Sequence, residues 1–311
     1  MSYYAGSYNQ GNPIRNLKSF FLNNNVLTRI ILINVAVWLI INIIKVLGFL
    51  MNIPDSEISY HISDFLGVPA SLSHLVFRPW TLISYMFTHI GFFHILFNML
   101  WLFWFGQIFL QYLNSRQLIS VYLMGGISGA LLFILFYNIF PVYGDSLVLA
   151  TTVGASASVM AIVTAISFYV PNFSINLLFI GRIKIIYIAV ALFVMDFFQI
   201  DSSNSGGHIA HIGGALYGLW FVYSLKKGKD MSRFFGSFSF DGFRKFFVKK
   251  KKSPFTNVYT NARPMKDEDY NVQKHKQQDK IDKILDKISK SGYESLSREE
   301  KELLFNASNK G

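Results

Sequence analysis

Apolar residues in this chain fall in long runs separated by short polar stretches, and run length is the first signal. A helix rises about 1.5 Å per residue, so about 20 residues cross the roughly 30 Å hydrocarbon layer of a bilayer. Six runs meet or approach that length: 28–50, 93–113, 118–140, 149–170, 185–200 and 206–225, the fifth being short. They predict an all-α membrane protein, a six-transmembrane-helix bundle over residues 27–227 behind a polar N-terminal segment, 1–26. That N-terminal segment has no cleavable signal-peptide pattern, so the first run is expected to act as its own insertion signal. Between the first two runs, residues 51–92 interleave Leu66, Leu72, Leu75, Val76, Phe77 and Trp80 with polar positions. This pattern predicts a segment lying in or partly entering the outer leaflet, with Trp80 as an interfacial anchor; an exposed folded loop is the alternative.

After the sixth run the pattern changes twice. Residues 228–278 form a basic, Phe-rich juxtamembrane stretch (Phe234 to Phe247, then Lys249–Lys252) followed by a polar linker from 253. Residues 279–311 regain a helical period, with Ile281, Ile284, Leu285 and Ile288 on one face. Ser291-Gly292 breaks it, and Ser297-Arg298-Glu299-Glu300 reads as a capping box opening a second helix with Leu303 and Leu304 inward. The expectation is a small cytoplasmic helical hairpin, too small to be stable alone.

Composition agrees with the run lengths. Of 311 residues, 52% are hydrophobic and only 15% charged, against about 25% charged in soluble domains. Cysteine is absent, which excludes disulfides, thiolate metal sites and a cysteine nucleophile. The net charge of +11 lies mostly after residue 225, beside apolar segments, and favours anionic lipid headgroups over nucleic acid as a partner. Loop charges set the direction of insertion. Arg15, Lys18, Arg116, Arg182, Lys184, Lys226, Lys227 and Lys229 alternate with Asp55, Glu57, Asp64, Asp145 and Asp201 on the opposite loops. Both termini are therefore expected in the cytoplasm of a multi-pass protein of the cell membrane, as in a bacterial inner membrane. Lys45 and Arg78 run against the pattern and are expected to snorkel to the interface.

Four polar residues inside the apolar runs carry the candidate chemistry. Ser156 lies in the fourth run and His211 in the sixth. Gly154, Ala157 or Ser158, and Ala161 form a small-residue face on the fourth; His211, Gly214 and Gly218 form one on the sixth. Such faces let membrane helices approach closely. If they pack, a serine hydroxyl meets the imidazole that could take its proton during nucleophilic attack. Plain helix-to-helix polar bonding is the competing account. In the second run His94 and Asn98 are spaced i, i+4 on one face, both able to donate to a developing oxyanion. A metal site is the chemical rival, since His208 and His211 are three apart and His89 and His94 five apart. However, there is no His-Glu-x-x-His motif, and no carboxylate lies in the second or sixth run. The acids nearest to hand are Asp196 and Asp201, by the end of the fifth. Neither a metal nor another cofactor is expected.

Together these residues resemble the rhomboid intramembrane serine proteases over most of residues 28–225. The resemblance is carried by Trp80 nine residues before His89, His94-x-x-x-Asn98, Gly154-x-Ser156, and Ala210-His211-x-x-Gly214-x-x-x-Gly218. Each motif is weak alone; the four in this order are specific. The resemblance implies a serine endopeptidase that cleaves transmembrane protein substrates in or near their membrane helices. Ser156 would be the nucleophile and His211 the base, a dyad without a required acid. His94, Asn98 and the backbone N–H of Ser156 would form the oxyanion hole. The chain departs from the family pattern at Ala157, where glycine is usual, at Met160, where an aromatic often supports the histidine, and at Trp80-Thr81 in place of Trp-Arg. A non-catalytic rhomboid-like protein that binds transmembrane helices is the alternative. The C-terminal hairpin resembles a short module appended to some bacterial rhomboid-like proteins.

Overall fold

The computed structural model describes residues 25–177, 181–235 and 267–308, and divides the chain into two units, one ending at Ser239 and one beginning at Phe240. The first unit is dominated by helices. Helix α1 (Val26–Leu50) is capped by Asn25, whose side chain accepts from the Thr28 N–H at 2.8 Å. Then follow α2 (Asp55–Leu66), β1 (Val68–Pro69), α3 (Leu72–Phe77) and α4 (Thr81–Ser84), ending in one 3-10 turn at Tyr85–Phe87. Helices α5 (Phe92–Tyr112) and α6 (Ser115–Ile139) are next, the second opened by a reciprocal Asn114–Gln117 capping box. Strand β2 (Thr151–Thr152) precedes α7 (Ser156–Tyr169); β3 (Ser174–Leu177) and β4 (Gly181–Lys184) form a hairpin before α8 (Ile185–Phe198); and α9 (Ser205–Lys226) closes the unit.

Among the described residues, α1, α5 and α6 are long and apolar enough to cross a membrane, and α7 and α8 are shorter apolar helices. The fourth apolar run, expected to be helical from 149, becomes helical only at Ser156. Its first residues are used otherwise: Thr151 and Thr152 pair antiparallel with Pro69 and Val68, and Gly154 turns the chain at φ +126°. β-Branched threonines suit a short ladder, and only glycine takes that backbone angle without strain. Among the described residues, two small ladders, β1–β2 and β3–β4, depart from a purely helical fold.

Helix α7 is the centre of the unit. Every residue from Ala157 to Ser167 is buried, and α6 and α9 pack most extensively against it. Small residues make this possible. A Cβ on Gly214 would lie 2.1 Å from the Ala157 carbonyl oxygen, and one on Gly129 would lie 2.6 Å from both the Ala157 Cβ and the Ala210 carbonyl oxygen. Backbones in such contact exchange many weak dispersion interactions, the main attraction between helices where lipid removes the hydrophobic drive. Helix α1 docks by Leu27, which sits on Gly106 of α5, and by a polar bond: the buried Asn34 side chain donates to the Tyr122 hydroxyl on α6 at 3.1 Å.

The 51–92 connection is folded rather than loose. Arg78 donates to the Asp64 carbonyl at 2.7 Å and pairs with the Asp64 carboxylate; Trp80 donates to the Phe65 carbonyl at 2.9 Å. Lys45 pairs with Asp55 at 3.2 Å. Both cations that break the loop-charge pattern are thus held by carboxylates of this connection. Leu72, Val76 and Phe77 remain outward and exposed, an apolar rim suited to the leaflet placement read from the sequence.

In the second unit α10 (Asp267–Ser291) ends at Gly292, whose φ of +77° breaks the helix, and α11 (Arg298–Ser308) follows. The capping box forms: the Ser297 N–H donates to Glu300 Oε2 at 2.7 Å and the Glu300 N–H to Ser297 Oγ at 3.3 Å. These bonds and Lys287, 2.9 Å away, hold the Glu300 carboxyl below its ordinary range. The helix begins well before 279, so residues 267–278, expected as linker, are helical. Ile284 is buried, whereas Leu285 is exposed. The expected lysine run and most of the Phe-rich stretch lie outside the described residues, as does the N-terminal polar segment before Asn25.

Candidate active site

A cavity of about 620 Å³ is enclosed by α5, α7, α8, α9 and the turn before α7. His94 and Asn98 reach it from α5, Ser156 and Met160 from α7, Asp196 from α8 and His211 from α9. Four residues singled out in the sequence therefore share one cavity, with no helix between them.

Ser156 is the first residue of α7. Its backbone N–H is among the four at a helix start that have no partner within the helix, and it sits at the positive end of the helix dipole. The turn before it is tightly fixed. The Gly154 N–H donates to the Tyr85 carbonyl at 2.9 Å, and the Ala155 N–H donates to His89 Nε2 at 3.3 Å. Burial first, then neighbouring His94, holds His89 far below the ordinary histidine value, at about 3, so this acceptor stays neutral. Its ring meets that of His94 edge-on at 5.0 Å.

Gly154 is not part of a helix face as expected. A Cβ there would lie 2.6 Å from His94 Nε2 and 3.6 Å from Ser156 Oγ, so glycine leaves the space between imidazole and hydroxyl open. Ala157, Gly214 and Gly218 do form the close α7–α9 contact; a Cβ on Gly218 would lie 2.4 Å from the Ala161 carbonyl oxygen. Asn98 Nδ2 donates one hydrogen to the His94 carbonyl at 2.8 Å, and an amide NH₂ carries a second. Among the described residues no hydrogen bond joins Ser156 to His211. Instead, His211 Nδ1 lies 2.8 Å from Asp196 Oδ1, and His208 Nδ1 lies 2.8 Å from the same oxygen. A carboxylate offers only lone pairs, so each Nδ1 is the donor.

The sequence offers His208 and Asp196 only as elements of a rival metal site; their contact with the imidazole of the candidate dyad is a finding of the structure. The available signal was an acid in an otherwise apolar helix, which is costly unless it has a partner. Gly125, Gly126 and Gly129 of α6 form a further small-residue face, against which α7 and α9 rest.

Comparison with known proteins adds the family. The rhomboid domain model matches residues 76–228, a stretch running from the end of α3 past the end of α9. The chain carries a rhomboid domain. It is similar to the mitochondrial presenilin-associated rhomboid-like proteins of mouse and human, each 28% identical over 147 residues, 44% of this chain and 35% of the relative. The zebrafish protein A of that name is 26% identical over 167 residues, 51% of this chain and 39% of the relative. The chain thus spans little more than a third of the length of these relatives. Residues 265–310, which include α10 and α11, match a family of unknown function (DUF6576).

Proposed function

We propose that this rhomboid-domain membrane protein is a serine endopeptidase that cleaves other membrane proteins in or near their transmembrane helices. The observation that carries the reading is the single cavity onto which Ser156, His211, His94 and Asn98 all face. Ser156 Oγ attacks the scissile carbonyl carbon while its proton passes to His211 Nε2. The tetrahedral oxyanion is met by the free N–H of Ser156, the second Asn98 hydrogen and the His94 ring. Collapse breaks the C–N bond, and the His211 imidazolium protonates the leaving amine. Water then hydrolyses the acyl-enzyme with His211 again acting as base. Asp196, bonded to Nδ1, fixes the tautomer that leaves Nε2 with its lone pair. The Ser156–His211 bond that the mechanism needs is one that tightens as substrate is engaged.

A substrate helix must unwind to be cut, because helical carbonyls are already hydrogen-bonded. Segments with glycine or proline are therefore the expected substrates. The six-span arrangement with both termini cytoplasmic is supported by the alternation of loop charge, which fits a bacterial inner membrane; the relatives named above are mitochondrial. The basic stretch after α9 would rest on anionic lipid. The test is labelling of the purified chain by a fluorophosphonate probe, with cleavage of a model transmembrane substrate alongside. Parent labelling that disappears in Ser156→Ala is expected. An unlabelled, uncleaving parent would point to the non-catalytic helix binder instead.

A further inference from the structure

Two imidazoles on one carboxylate oxygen are more than a general base needs. Orienting His211 takes one Nδ1–Oδ1 bond, yet His208 makes an identical 2.8 Å contact to the same atom. The three side chains are 9–19% exposed, Asp196 and His211 line the cavity, and the ligand atoms of all three lie within 4.8 Å of one another. His208 and His211 are three apart on α9, so they project from one face, and Asp196 faces them from the last turn of α8. Only residues 199–204 join the two helices, which keeps the three groups together at small entropic cost.

We propose that Asp196, His208 and His211 form a site for a divalent transition-metal ion of the zinc class, and that filling it switches off the base. Two imidazole nitrogens and one carboxylate oxygen suit Zn²⁺, Co²⁺ or Ni²⁺, whereas Mg²⁺ and Ca²⁺ prefer all-oxygen shells. Tetrahedral zinc with ligands at about 2.1 Å needs ligand atoms about 3.4 Å apart. The two 2.8 Å contacts would have to open by about 0.6 Å, a change that small side-chain rotations supply, and a fourth position stays open.

The inhibitory consequence follows from proton placement and rests on the reading of His211 as base. With Asp196 as partner, neutral His211 carries its proton on Nδ1 and offers the Nε2 lone pair to Ser156. A metal takes the Nδ1 lone pair, so the single ring proton must sit on Nε2. No net proton is released, but Nε2 is now a donor and cannot accept from the serine. His208 contributes a ligand and nothing to hydrolysis.

The experiment uses the full chain in detergent, stripped with chelator, at one fixed pH. Equilibrium dialysis should find one zinc per chain, and Co²⁺ should give the visible absorption of a tetrahedral site. Saturating zinc should slow fluorophosphonate labelling about a hundredfold, within the range that a general base contributes, and chelator should restore it. His208→Ala and the more conservative His208→Gln should both lose zinc binding and zinc sensitivity while labelling at the parental rate in chelator. Absence of stoichiometric binding in the parent, or zinc inhibition unchanged in both His208 variants, would overturn the proposal. A parent that binds one zinc through His208 yet never labels would uphold the site and refute the protease reading, so the two failures are separable.

Discussion

Helices α7 and α8 are both apolar and both 14 residues long, yet they occupy opposite environments. α7 is buried continuously from Ala157 to Ser167; on α8 only Ile185, Ala189 and Asp196 are buried, while Val190, Val194, Met195, Phe197 and Phe198 face outward. Hydrophobicity does not separate them, because in a membrane an apolar side chain is as well solvated by lipid as by protein. Side-chain size does. Alanine, serine and threonine along α7 let α6 and α9 reach its backbone, whereas the large residues of α8 keep its neighbours at a distance. The difference places the proposed nucleophile on the most constrained helix of the unit. The carboxylate that orients the proposed base sits on one of the least constrained.

Four measurements would break or sharpen that contrast. The largest effect is expected at the α7–α9 contact. Gly214→Val puts a branched side chain where backbone oxygen lies 2.1 Å from a Cβ, so the helices must separate. A loss of about 3 kcal/mol or more in a detergent or denaturant unfolding series is expected, in the range of severe overpacking, with labelling of Ser156 abolished. A variant that melts with the parent would refute the tight α7–α9 seam.

Asp196→Asn tests the α8 side of the site. Asparagine keeps the shape but loses the charge and presents an uncertain donor or acceptor to His211 Nδ1. The labelling rate should fall about ten- to a hundredfold, roughly 1.4–2.8 kcal/mol, at unchanged thermal stability. Glutamate at the same position should recover more of the rate than asparagine if charge and tautomer, rather than packing, are what Asp196 supplies.

The third is a pH dependence at the turn that fixes the start of α7. Folded His89 refuses a proton until about pH 3, whereas an unfolded chain accepts one near pH 6.5. The unfolded state therefore holds the extra proton throughout that window. Stability present above pH 6.5 should decline as pH falls toward 3, by at most about 1.4 kcal/mol per pH unit. His89→Gln, which can still accept from Ala155 but does not titrate, should flatten that part of a melting-temperature profile. An equally steep profile in the variant would assign the acid sensitivity elsewhere.

The smallest effect is expected on the outward face of α8. Phe197→Ala removes an exposed ring from a helix with few close neighbours, and unfolding in detergent should shift by less than about 0.5 kcal/mol. A shift comparable to that of Gly214→Val would erase the distinction between the two helices.

The sequence by itself determined the helical membrane unit, because apolar run length counts residues against a fixed hydrocarbon thickness. It also determined the pairing of His94 with Asn98, since an i, i+4 spacing lands on one helix face whatever surrounds it. The break at Gly292 and the Ser297–Glu300 capping box were legible for the same reason: both are local in the chain. Only the tertiary structure decided where α7 begins. The Thr151–Thr152 ladder needs Val68 and Pro69, some 80 residues away, and no hydropathy window contains that partner. Nor could spacing reveal that Asp196 joins His208 and His211, because a carboxylate on one helix and imidazoles on the next meet only when a short turn and two packed faces orient them. Local order is written in neighbouring residues, but a site assembled from several helices depends on contacts that exist only after the chain has folded.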